Sequence, residues 1–221
     1  MHFKYILILL ISCLFFKAYG QTTAAKKSNS DITIQWQDSL PSDFSFCKKW
    51  SFTDGIEKND KNKFQCVYNC HPRIELMYNT LNQIETDSLK AFFSLIDTTH
   101  YYHTLQCKAW SYEFDKANFI TCIKNEAGYI NCFTLTNNIN HSSLRFSIIN
   151  DKCLPTVQLN SADKKIGFKI FKLQSGSIII DKSSFNKGIL KAEFDFTFHN
   201  SIDAKKPINW KGLILSPIDE L

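Results

Sequence analysis

Apolar and polar positions alternate most regularly towards the C-terminal end of the chain. Between Ile189 and His199, Ala192, Phe194, Phe196 and Phe198 fall on one side, and Lys191, Glu193, Asp195 and Thr197 on the other. A period of two sends successive side chains to opposite faces, so this segment predicts an antiparallel strand with one buried and one wet face. Less regular versions recur at 32–36, 44–52, 64–70, 104–114, 118–124, 129–136, 143–150, 166–173, 177–181 and 208–215. The segments between them are rich in Asn, Gly and Asp, which favour turns. Asn125-Glu126-Ala127-Gly128 predicts a hairpin with Gly128 where a positive φ is needed. Gln174-Ser175-Gly176 predicts another tight turn, and 54–63 a solvated loop.

One stretch follows the helical period instead. Leu89, Phe92, Phe93 and Ile96 lie at i, i+3, i+4 and i+7, with Thr86 or Asp87 able to cap the start. Residues 73–78 fit both periods, and Asn79 and Asn82 after them tilt the reading to strand. The expected fold is therefore mainly β: an antiparallel sandwich or barrel-like sheet with one amphipathic helix at about 86–97. The 19 Phe, 8 Tyr and 4 Trp fit that expectation, because aromatic side chains suit a pleated, half-buried surface.

The first twenty residues stand apart. A short basic start (Met1 to Lys4), an apolar run to Phe16 and small residues Ala18 and Gly20 have the form of a secretory signal peptide cleaved before Gln21. Leu10-Ile11-Ser12-Cys13 also resembles a lipobox, so a lipoprotein anchored through Cys13 is the alternative. The domain reading is signal peptide 1–20, polar tether 21–31 and a single β-rich domain 32–221. Lys4 and Lys17 leave with the signal, which lowers the net charge from +5 to +3. No basic block suited to nucleic acid remains, and no later segment is apolar enough to cross a membrane as a helix. The expected location is the periplasm or the exterior.

That location makes the cysteines informative, because thiols pair in oxidising compartments. After Cys13 there are Cys47, Cys66, Cys70, Cys107, Cys122, Cys132 and Cys153. With a three-residue hairpin loop at 126–128, counting outward puts Cys122 opposite Cys132. Facing positions of an antiparallel pair are close enough for a disulfide after slight adjustment. Cys47, Cys66, Cys70 and Cys107 are the other possible bridging residues, which leaves Cys153 single.

Candidate chemistry is sparse. Cys66 to His71 is one residue longer than the c-type haem attachment signature, and it lacks the second cluster of a zinc finger. His100 and His103 are weak metal candidates. With Tyr102 opening a strand, His103, Cys107 and Glu113 share a face, which suits an acid–base or metal cluster. Asp38-Ser39-Leu40, Asp87-Ser88-Leu89 and Asp97-Thr98-Thr99 resemble O-glycosylation triplets of exported bacterial proteins. There is no G-x-S-x-G elbow, H-E-x-x-H, P-loop, G-x-G-x-x-G or EF-hand loop. The expectation is an exported binding or interaction module without catalysis or cofactor, its partner an unidentified protein or small ligand. The alternatives are a small hydrolase or metal-dependent enzyme, and a carrier of a small apolar ligand.

Overall fold

Alternating burial along the strands of the second half explains the architecture. In a computed structural model, Ser142–Ile149, Lys152–Asn160 and Ile189–Phe198 each bury one face and leave the other partly wet. The structure describes residues 31–52, 56–61, 63–66, 76–81, 83–85, 88, 91, 94, 99–137 and 140–220. Its strands in the first half are β1 (Ile32–Thr33), β2 (Gln35–Gln37), β3 (Trp50–Phe52), β4 (Ile56–Lys58), β5 (Phe64–Cys66), β6 (His100–Tyr102) and β7 (Leu105–Trp110). The second half holds β8 (Thr121–Lys124), β9 (Ile130–Phe133), β10 (Ser142–Ile149), β11 (Lys152–Asn160), β12 (Phe168–Asp181), β13 (Ile189–Phe198) and β14 (Ile208–Glu220).

Seven strands close on themselves. The ring runs β8, β9, β10, β11, β12, β13, β14 and back to β8. Every junction is antiparallel except β14 with β8. A closed ring leaves no free edge, so of the two architectures in the sequence reading this is the barrel. β14 divides its outer edge: Asn209 to Ile214 pair with β7, and Ile218 to Glu220 pair with β8. The interior is filled by Phe171, Phe194, Phe196, Phe198 and Trp210, packed with Leu144, Leu159 and Ile178. A smaller sheet, in the order β5-β4-β3-β6, has its own cluster of Phe52, Ile56 and Ile84 backed by Trp50 and Phe64.

Three sequence readings change. Gln174-Ser175-Gly176 is not a turn. β12 runs unbroken from Phe168 to Asp181, with a bulge between Leu173 and Ser175. Gly176 is needed there for close backbone approach, since a Cβ would lie 2.4 Å from the Asp195 carbonyl oxygen. The stretch 44–52 is a 3₁₀ turn (Ser45–Lys48) followed by β3, rather than one strand. The expected loop at 54–63 contains β4, because Ile56 is fully buried and the strand pairs on both edges. The helix expected at 86–97 lies largely outside the described residues. The helix that is described, α1 (Lys182–Phe185), is a single turn capped by Asp181, whose side chain accepts from the Ser184 N–H.

Candidate functional site

The smaller sheet docks on the barrel wall, and the seam between them forms a cleft of about 300 Å³. β3, β4 and β5 supply one side through Trp50, Glu57 and Gln65, and β7 with residues 116–118 supplies the other. His103 sits at the seam, just past β6. Its backbone N–H donates to the Lys49 carbonyl at 2.9 Å, which extends the β3–β6 pairing by one position. Its Nε2 lies 2.7 Å from Ser51 Oγ, and its ring meets Phe119 edge-on at 5.3 Å. Only 6% of the residue is exposed. Burial pushes the imidazole down to about 4; Glu57 opposes this and Lys116 and Lys49 add to it. His103 is therefore neutral at physiological pH.

Around it, Lys116 Nζ donates to Glu57 at 3.1 and 3.4 Å, and Gln65 Nε2 donates to Glu57 Oε1 at 3.4 Å. The Asn118 carbonyl accepts the N–H groups of Thr104 and Leu105 at 3.0 Å, pinning the loop beneath β7. Asn118 is 8% exposed, and its buried side-chain Nδ2 meets no acceptor among the described residues. A buried amide donor without a partner costs about 1–3 kcal/mol. Beside a cleft, such a donor is available to an acceptor that enters it.

The arrangement offers hydrogen-bond donors and acceptors but no activated nucleophile. Ser51 touches His103, yet it is 1% exposed and does not line the cleft. Cys107 does line it; burial pushes its thiol up to about 12, and it donates weakly to the Ala117 carbonyl. Thiolate chemistry needs the opposite shift.

The cluster expected from sequence separates. His100 lies on the exposed aromatic side of the small sheet, 5.1 Å from the Trp50 ring, while His103 is buried at the seam. Glu113 is elsewhere, at the far end of β7. There it accepts from Ser161 Oγ and the Ala162 N–H, with His141 Nδ1 at 2.6 Å. Those contacts hold its carboxyl below the usual range, Ser161 contributing most, and its φ of 48° is left-handed. Among the described residues no three His, Cys, Asp or Glu side chains gather as metal ligands. Residues that do meet in the cleft and were not singled out from sequence include Glu57, Lys116 and Asn118, with Ser51 buried behind His103. Glu57 and Lys116 are 59 positions apart, so no local spacing links them.

The cysteines divide likewise. Cys122 and Cys132 face each other across β8 and β9. The hairpin has the expected three-residue loop, with Asn125 N–H donating to the Tyr129 carbonyl and Gly128 at φ 80°. Counting pairs inward from Asn125 and Tyr129 makes Cys122–Cys132 a pair without ladder hydrogen bonds, the closer type. Both are thiols in this structure, as are Cys47, Cys107 and Cys153. Burial and the neighbouring thiols push Cys132 up, and burial does the same for Cys153. Cys66 lies on β5, and Cys70 and His71 lie outside the described residues.

Comparisons with protein-family models, curated proteins and solved structures find no match. The cleft is thus read from its own chemistry.

Proposed function

We propose that this protein is an exported β-barrel module that binds a small polar ligand in the seam cleft and catalyses no reaction. The observation that carries the reading is the partnerless Asn118 amide beside a cleft of about 300 Å³, a volume at the small end of ligand pockets. Neutral His103 and the Glu57–Lys116 pair give the cleft both donors and acceptors without a strong net charge. Binding is favoured over catalysis because Ser51 is shut away from the cleft and the Cys107 thiol is held protonated. The apolar-carrier alternative loses support because Phe171, Phe194, Phe196, Phe198 and Trp210 fill the barrel interior. Export rests on the signal-like segment 1–20. No helix among the described residues is long and apolar enough to cross a membrane.

A thermal-shift screen of neutral polar compounds against the chain from Gln21 tests this. A ligand at about a hundred times its Kd stabilises the fold by about 2.7 kcal/mol, which raises Tm by roughly 5–10 °C. The shift should vanish in Asn118→Ala and persist in Tyr129→Ala, at the remote hairpin tip. Hits that ignore Asn118→Ala, or turnover of any screened compound, would overturn the proposal.

A further inference from the structure

A second concavity, of about 330 Å³, lies on the outer face of β9, β10 and β11. Its outward-facing walls include Asn131, Phe133, Arg145, Ser147, Thr156 and Gln158. Arg145 stands at its centre, directly between Phe133 on one neighbouring strand and Thr156 on the other. The guanidinium carbon sits 5.5 Å from the centre of the Phe133 ring. Stacking of this kind orients the planar fork, so less freedom is lost when its donors engage a ligand.

Three features single out this groove. None of its lining residues is acidic. Among the described residues Arg145 has no ion pair and no side-chain hydrogen bond, and its guanidinium stacks on the Phe133 ring. The side chains of Thr156 and Gln158, partly buried beside it, likewise have no hydrogen bond among the described residues. Ser147 Oγ donates to Asn131 Oδ1 at 2.7 Å, which turns the Asn131 amide nitrogen, a donor, away from that contact. A second cation flanks the far side. Lys172 pairs with Thr156 across β11 and β12, and lies between the inward-facing Phe171 and Leu173, so it shares the outer face with Arg145. Strands are spaced by about 4.8 Å, so these two cations stand roughly 10 Å apart at their Cβ atoms, with a hydroxyl between them.

Donors and positive charge therefore converge on a concave surface that holds no negative partner. We propose that this groove binds a small ligand bearing a carboxylate or phosphate group, with Arg145 as the bidentate anchor and Thr156, Gln158 and Lys172 as flanking contacts. Guanidinium donors match both oxyanions in paired geometry. The site is separate from the seam cleft, which lies against β7, and does not depend on it.

The test is a titration of the ¹⁵N-labelled chain from Gln21 by NMR at fixed ionic strength. The probes are inorganic phosphate and glucuronate in separate arms, with glucose as the neutral control. Expected are saturating shifts of the Arg145 side-chain N–H and of the Asn131, Thr156 and Gln158 signals with at least one anion and none with glucose. The arm that responds more strongly tells phosphate from carboxylate. Loss of one charge-assisted contact weakens binding about tenfold to a hundredfold, so Arg145→Gln should weaken the response that much. Arg145→Lys should retain part of it, and Lys61→Gln, in the exposed turn after β4, should leave it unchanged. Absent or unsaturable shifts at these residues, an equal response to glucose, or an undiminished response in Arg145→Gln would overturn the assignment.

Discussion

Replacing Phe196 by Ala tests the barrel where its packing is most constrained. The side chain is 0% exposed. Its ring centre lies 5.1 Å from that of Phe194 and 6.2 Å from those of Phe146 and Phe198. On the flanking strands its direct partners are Gly176 and Trp210. Burial of a Phe side chain contributes about 1.5–3 kcal/mol, and aromatic pairs add about 0.5–1.5 kcal/mol. The Gly176 backbone already touches Phe196, so no side chain on that flank can swing into the void. Phe196→Ala should accordingly cost about 4–5 kcal/mol, the upper part of the usual range. The comparison is Asp195→Ala one position along, which removes an exposed 3.0 Å pair with Lys211. Such pairs are worth about 0–1 kcal/mol. Urea unfolding of both variants gives the two values, provided the m-values agree. A cost below about 2 kcal/mol for Phe196→Ala at unchanged m, or a larger loss for Asp195→Ala, would show that the barrel interior is not close-packed around this ring.

Gly176→Ala should destabilise by about 2–3 kcal/mol in the same assay, because its Cβ would press on the Asp195 carbonyl from 2.4 Å. An NMR titration should place the His103 midpoint near 4. Its folded value lies below the ordinary one of about 6.5, so the neutral ring stabilises the fold above that pH and the contribution fades as pH falls from about 6.5 to 4. His103→Gln should flatten the pH dependence of stability over that window. Non-reducing peptide mapping of exported protein should recover a Cys122–Cys132 bridge, worth about 2.5–3 kcal/mol by loop entropy. Alkylation of Cys122 in denaturant without reductant would refute it. Intact mass should place the mature N-terminus at Gln21, and a diacylated species starting at Cys13 would show a lipoprotein instead.

The strands that were legible are those that bury one face, above all β13, whose Phe194, Phe196 and Phe198 point inward as their period requires. The β8–β9 register was legible as well, because a three-residue loop fixes which residues face each other. β11 was not, and Pro155 is the reason: a proline inside a run argues against a paired strand. The structure resolves the conflict through where that edge is used. β1 takes Lys152 and Cys153, β12 begins at Thr156, and Pro155 falls between the two pairings, where an N–H is not required on that side. Gly176 misled for a related cause, since glycine serves close approach as readily as a turn. The cleft was illegible because its parts join β3, β4 and the 116–118 loop, and only the docking of the two sheets brings Glu57 to Lys116. The sequence did place His103 near Cys107, but nothing in a period of two shows that Glu113 turns off through a left-handed residue to meet His141.

The divided edge of β14 governs the order in which the molecule can assemble. The hairpins β8–β9 and β10–β11 join neighbours in the chain and can form early. The ring does not close until 208–220 reaches back about a hundred positions to β7 and β8. Loop closure of that span is slow relative to hairpin formation. A chain synthesised N-terminus first would therefore hold an open, edge-exposed sheet until those residues arrive. During that interval the free edges of β8 and β13 are the places where another chain can pair. Supplying 208–220 as a separate peptide should close the ring of a chain lacking it, in the manner of a donated strand.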